Sequence, residues 1–161
     1  MGIYRVAEVC LNGHVSTDSA DIRPELREKF CSKCGEATIT KCRNCNSNIR
    51  GDYEVEGVLN LARRYKPPSF CYNCGNPFPW TERKLNAAIQ LVQEDGKLSD
   101  VELSQFRNDI GELVKDSPQV VSASLRFKKT MAKVGNSVAN SVRDVVVDIL
   151  SEAAKKAIWG K

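Results

Sequence analysis

The chain has 161 residues, 42% hydrophobic and 27% charged, a globular composition that excludes a disordered or fibrous chain and suffices for one ordinary domain or two small ones. Its formal net charge of +4 assumes neutral thiols; with seven cysteines ionised around two divalent ions it falls to about +1, so only local clusters can argue for a nucleic-acid partner. No apolar run reaches the roughly eighteen residues of a membrane span, the longest aliphatic block being Val145, Val146 and Val147.

The opening, MGIYRVAEVC, lacks the apolar core of a signal peptide and has Val6 where a myristoylation pattern needs Ser or Thr, so a cytoplasmic location is expected. Its IYRVAEVC portion reads as a strand and leads to the first two potential ligands, Cys10 and His14, in CLNGH. FCSKCG follows with Cys31 and Cys34, ATITKC reads as another short strand, and KCRNC brings Cys42 and Cys45. The insert after it contains NIRGDYEVEGVL, read as a hairpin around Gly51 and Asp52, and NLARRY, which suggests a helical turn or two ended by Pro67 and Pro68. FCYNCG then repeats the pattern of FCSKCG and supplies Cys71 and Cys74.

After Cys74 the composition changes. NPFPW forms a rigid strap, with Trp80 expected where ribbon and helices meet, and Thr81 caps a helix predicted over about 82–94 with Leu85, Ala88, Ile89 and Val92 on one face. Asp95 and Gly96 break it, and SDVE (99–102) is a capping box that starts a second helix carrying Val101, Leu103, Phe106, Ile110 and Leu113. Ser117 and Pro118 start a third, running to about Lys133. Gly135 separates a last helix, roughly 137–158, whose stripe is Val138, Val142, Val145, Ile149 and Ala153.

The potential ligands thus form four pairs that use every cysteine and the only histidine. Seven cysteines cannot all pair as disulfides, whereas seven plus one histidine fill two four-coordinate zinc sites with nothing left over. Two residues between cysteines let one tight turn aim both sulfurs at one ion, and Gly35, Gly75 and Gly13 stand where such turns need a positive φ. Sequential pairing puts Cys10, His14, Cys31 and Cys34 in site one and Cys42, Cys45, Cys71 and Cys74 in site two. A cross-braced arrangement uses the same eight ligands and counting does not separate the two; the sequential order is preferred because each pair of turns then encloses its own hairpin-like segment. A thioredoxin-like redox motif would need one pair opening a helix in a βαβ unit, and no such unit is present.

Other motifs weigh less. LVQEDGKLSDVE resembles an EF-hand loop but has Leu91 at the first ligand position, so a turn followed by a capping box is the better reading. ARRYK places Arg63, Arg64, Tyr65 and Lys66 together as a candidate nucleic-acid contact, against the alternative of a solvated face. RFKK (126–129) is expected to be a helix face or a set of partners for acidic residues. Small residues on the last helix allow a membrane-surface reading, but Asp144, Asp148 and Glu152 oppose anionic lipid, so peripheral membrane contact is disfavoured against helix packing.

With this ligand pattern, CLNGH, KFCSKCG, KCRNC and SFCYNCGNPFPWTERKL, the chain resembles a bacterial family of uncharacterised double-zinc-ribbon proteins, a domain of unknown function. The resemblance implies two zinc sites and a bacterial origin, and it carries no activity. The expected fold is a small metal-stabilised α+β protein. Tandem zinc ribbons of short antiparallel strands occupy 1–80, with site one at about 1–40 and site two at about 41–80. An all-helical region of about four helices occupies 81–161, with 135–161 an amphipathic helix for packing or self-association. The expected function is a non-enzymatic adaptor or interaction module with two structural Zn2+, binding a protein partner or a second copy through its helices. The alternative is nucleic-acid binding through the ribbons; a zinc hydrolase or redox protein would require His14 to leave its metal.

Overall fold

The computed structural model describes residues 1–61 and 63–160 and divides the chain into an N-terminal unit, Met1–Glu82, and a helical unit, Arg83–Lys161. The N-terminal unit holds five short strands, all paired antiparallel: β1 (Ile3–Val6), β2 (Glu8–Cys10), β3 (Val15–Thr17), β4 (Thr38–Ile39) and β5 (Arg50–Glu54). Strand β2 lies between β3 and β4, while β1 pairs with β5. Strands this short bury little, and the apolar cluster they share is small: Ala7, Val9, Ile49, Phe78 and Trp80, together with Cys42 and Cys71. Trp80 stacks on Phe78 with ring centroids 4.6 Å apart and donates its Nε1 proton to the carbonyl of Pro68 at 3.0 Å. Trp80 is therefore a core residue of this unit. A buried carboxylate, Glu8, ties the 3-10 turn at Pro24–Leu26 to β2 by accepting from Arg27 Nε at 2.8 Å and the Glu28 N–H at 2.7 Å.

Two expectations for this unit are corrected. Gly51 and Asp52 are not a hairpin turn but the middle of β5. A Cβ on Gly51 would lie 2.0 Å from the carbonyl oxygen of Asp18, so the glycine serves close backbone approach, and the Asp52 N–H donates to that same oxygen at 3.0 Å. The turn comes later, where the Val58 N–H reaches the carbonyl of Val55. Arg63, Arg64 and Tyr65 are not helical, and Ala62 in the same predicted segment lies outside the described residues.

The helical unit contains most of α1 (Pro79–Asp95) and all of α2 (Asp100–Val114), α3 (Val120–Val134), α4 (Asn136–Val146) and α5 (Glu152–Trp159). Thr81 does not cap α1. The helix begins at Pro79, whose fixed φ suits the first helical position, and the Phe78 carbonyl accepts from the Thr81 and Glu82 N–H groups. Thr81 is buried and donates its hydroxyl to the Ser69 carbonyl at 2.8 Å. Helix α2 has the expected capping box, Ser99 to the Glu102 N–H and Glu102 to the Ser99 N–H. Ser117 and Pro118 form a turn rather than the start of α3, which begins two residues later.

The last helix is two helices, so the described residues hold five α-helices where about four were expected. The break at 147–151 buries both Ile149 and Leu150, neighbours that a continuous helix would turn about 100° apart. Ser151 then caps α5 through the Ala154 N–H, while its own N–H reaches the Leu113 carbonyl. The core of this unit is hydrocarbon: Phe106 stacks on Phe127 at 6.0 Å, among buried Ile110, Leu113, Val142 and Val146. Val101, expected on the buried face of α2, is exposed because it lies five residues and thus well around the helix from Phe106. Among the described residues no helix is long and apolar enough to cross a membrane.

Candidate metal centres

The donors sit on four tight turns, three of which repeat one hydrogen-bond pattern. In each, the N–H of the first cysteine reaches a carbonyl five residues on, and the residue after the second cysteine donates back to the first: Cys31 to Glu36 with Gly35 to Cys31, Cys42 to Ser47 with Asn46 to Cys42, and Cys71 to Asn76 with Gly75 to Cys71. The flanking residues close every turn with an isolated bridge, Phe30 to Ala37, Lys41 to Asn48 and Phe70 to Pro77. The left-handed position is Gly35 and Gly75 in two copies and Asn46, at φ 64°, in the third. Asparagine tolerates that region better than other side-chain-bearing residues, which is the signal by which KCRNCN could have been read as a third copy. The fourth turn, Cys10 to His14, is shorter: the Cys10 N–H reaches the His14 carbonyl and the Gly13 N–H the Cys10 carbonyl.

These turns bring together two clusters, Cys10, His14, Cys31 and Cys34 in one and Cys42, Cys45, Cys71 and Cys74 in the other, each with its donor atoms within 4.8 Å of one another. The grouping is the sequential one. In the first, Cys10 Sγ lies 3.5 Å from His14 Nδ1 and 3.7 Å from Cys34 Sγ, and Cys31 Sγ lies 3.6 Å from His14 Nδ1. In the second, Cys42 and Cys74 sulfurs are 3.7 Å apart and those of Cys45 and Cys71 3.6 Å. A disulfide would need about 2.05 Å. Tetrahedral zinc, with bonds of about 2.3 Å to sulfur and 2.05 Å to nitrogen, sets edges of about 3.8 Å between sulfurs and about 3.5 Å between sulfur and nitrogen. Both donor sets fit a four-coordinate ion of that size, with His14 binding through Nδ1 and carrying its proton on Nε2.

The thiols are prepared unequally. Burial pushes Cys71 up to about 11 and raises Cys10. The surface-facing cysteines go the other way. The Glu36 N–H holds Cys34 down to about 6; the Ser47 side chain and N–H, with the Asn73 side chain, do the same for Cys45; and the Asn76 N–H and Asn44 side chain lower Cys74. In the second cluster the asparagine within each turn thus supports a sulfur of the facing turn. A divalent cation in each cluster would ionise its thiols outright, three in the first and four in the second, removing the penalty that burial imposes on Cys10 and Cys71. Each cluster offers four protein donors, the number that a closed tetrahedral site uses.

The candidate contact residues lie in the same unit. Arg63, Arg64 and Lys66 are exposed, and with Arg50 and Asp52 they line a cleft of about 440 Å³ along β5. Tyr65 is their anchor: its hydroxyl donates to the Arg50 carbonyl at 2.6 Å, its ring packs against the core cluster, and burial, with Asp18 nearby, raises its pKa. Arg50 was not singled out in the sequence, nor were Tyr4, Tyr53 and Tyr72. The Arg50 guanidinium lies 4.4 Å from the Tyr4 ring and 4.0 Å from the Tyr72 ring, and Tyr4 and Tyr53 rings are 4.8 Å apart. These positions are scattered over seventy residues, so no local pattern could group them; Tyr4, Arg50 and Tyr53 fell in segments read only as strand and hairpin, and Tyr72 lay between two ligands.

The candidate helix interface is placed in the helical unit, where Val142 and Ile149 are buried, Val138 and Val145 half-buried and Ala153 exposed. Most of that stripe is covered by its own unit. In the RFKK segment Arg126 pairs with buried Asp109 at 2.8 Å and Phe127 is core, so its leading residues serve the fold. The family described as "uncharacterized protein conserved in bacteria (DUF2321)" matches residues 3–158. No curated protein and no solved structure matches the chain significantly.

Proposed function

The chain belongs to the DUF2321 family of uncharacterized bacterial proteins, and from its two donor clusters we propose that it is a non-enzymatic interaction module built on tandem zinc ribbons. One observation carries this reading: all seven cysteines and the only histidine are used in two four-donor sets whose edges suit tetrahedral zinc. The mixed sulfur and imidazole set, and the all-sulfur set, are those zinc prefers over harder cations. A saturated ion does no Lewis-acid chemistry and has no vacancy to activate water, so its contribution is to fix the turns and the surface between them. Because the apolar stripe of α4 is largely covered, the partner is better sought on the N-terminal unit than on the helices.

Elemental analysis of the purified full chain is expected to give two zinc ions per polypeptide. Replacing zinc by cobalt should give two tetrahedral thiolate spectra that do not change when cyanide or azide is added. A bound anion appearing in either spectrum, or fewer than two ions held, would overturn the reading, the first by revealing an open coordination position and the second by leaving thiols free for chemistry.

A further inference from the structure

We propose that the cleft along β5 binds single-stranded nucleic acid, an inference that rests on the reading of the chain as a binding module and names its ligand class. Two independent features coincide there. The first is charge: Arg50, Arg63, Arg64 and Lys66 face Asp52 as the lone carboxylate of the lining. None of the four has an ion-pair partner among the described residues, whereas Arg5, Arg27, Lys84, Arg126 and Lys133 all do. Unpaired cations converging on a concave surface focus a positive potential even on a chain with little net charge.

The second feature is a row of flat groups. Tyr53, Tyr4, Arg50 and Tyr72 follow one another at 4.8, 4.4 and 4.0 Å; the first three line the cleft and Tyr72 extends the row past its edge through Arg50, and the three tyrosines are 42, 48 and 56% exposed. Stacking between two rings fixes the plane of the Arg50 guanidinium, leaving its N–H edge as a fork for a phosphate. Exposed tyrosine faces beside it offer stacking platforms, and only unpaired bases can leave their own stack to use them. The Tyr65 hydroxyl bond to Arg50 holds the segment bearing Arg63, Arg64 and Lys66 against β5, so cations and rings are presented together. An acidic peptide would use the cations and leave the rings idle. An anionic membrane would instead use the neighbouring exposed Val58, Leu59 and Leu61, which do not line the cleft.

The test is fluorescence anisotropy of the full, zinc-loaded chain with labelled oligothymidylate and oligouridylate of about 15 nucleotides, a hairpin duplex, polyglutamate as competitor, and phosphatidylserine vesicles. Single strands are expected to bind more tightly than duplex, with affinity falling as salt rises. Replacing Arg63, Arg64 and Lys66 together by alanine should flatten the log–log salt slope by about 2. Tyr72→Leu should weaken binding roughly tenfold while Tyr72→Phe retains it, with zinc content unchanged in every variant. No binding at low salt by a chain that holds two zincs overturns the cleft inference and leaves the module reading standing; fewer than two zincs overturns both. Equal binding of duplex, displacement by polyglutamate with no effect of Tyr72→Leu, or vesicle binding lost in Leu59→Ser/Leu61→Ser without single-strand binding would each overturn it too.

Discussion

The N-terminal and helical units are nearly equal in length, Met1–Glu82 and Arg83–Lys161, yet they are held together by different means. The helical unit buries Phe106, Ile110, Leu113, Phe127, Val142, Val146 and Leu150, and it pairs charges within itself: Arg126 with Asp109, Lys133 with Glu102, Lys84 with Asp148. The N-terminal unit buries only seven apolar side chains beside its cysteines, Ala7, Val9, Leu11, Ala20, Ile49, Phe78 and Trp80, and leaves a row of tyrosines and cations open. A unit of this size with so few buried side chains falls short of a self-sufficient core. On the proposed reading, metal ligation supplies what burial does not, and it frees the surface: side chains that a larger core would recruit remain available for a ligand.

The strongest way to break this comparison is to remove the metal. The two tryptophans divide between the units, Trp80 buried in the N-terminal core and Trp159 on α5 beside Arg143, so Trp159→Phe leaves a single emission reporter on the metal-held side. Adding a strong chelator to this variant should shift Trp80 emission to the red as the N-terminal unit unfolds, while most of the helical circular dichroism persists. Loss of both signals together would make the two units one cooperative structure, and loss of neither would return the N-terminal core to ordinary burial.

The complementary break is on the hydrocarbon side. Phe106 is 1% exposed and stacks on Phe127, so Phe106→Ala removes a ring that nothing nearby can replace. It should cost about 3–5 kcal/mol, read as a lowered urea midpoint in the helical signal, with zinc content still at two per chain. A matching fall in zinc content would show that the helices support the metal sites after all.

The legibility of each unit in the sequence follows from the same contrast. Ligand identity is a matter of counting and spacing, so all eight donors, and the preference for their sequential grouping, follow from the order of residues alone. The capping box at Ser99 and the break at Gly135 likewise announce themselves locally. What could not be read depends on contacts between distant residues. Gly51 looks like a turn until the Asp18 carbonyl is seen against it, and Thr81 looks like a cap until Pro79 starts the helix two residues earlier. The split between α4 and α5 is offset by burying Ile149 and Leu150 together, which periodicity within one helix does not express. The Tyr4, Arg50 and Tyr72 stack joins two strands that pair across the unit to a cysteine turn far along the chain.

The smallest expected effect separates local from tertiary support within the helical unit. The Ser99 hydroxyl accepts from the Glu102 N–H at 3.2 Å, and Glu102 returns a bond from the Ser99 N–H at 2.8 Å while also pairing with Lys133. Ser99→Ala should therefore cost about 1 kcal/mol. The Lys133 contact, and after it the Ser99 N–H, holds the Glu102 carboxyl below its ordinary value. A carboxyl lowered in the folded state stabilises fully above its unfolded pKa, and that contribution fades as pH falls through the folded value. The hydroxyl half of the box does not titrate there. Because the Ser99 hydroxyl adds only a smaller part of that lowering, urea unfolding followed by helical circular dichroism should give a loss for Ser99→Ala that shrinks only slightly on acidification, whereas the loss for Glu102→Gln should shrink much more. A loss for Ser99→Ala that shrank as much would mean that the hydroxyl acts only by fixing the carboxylate.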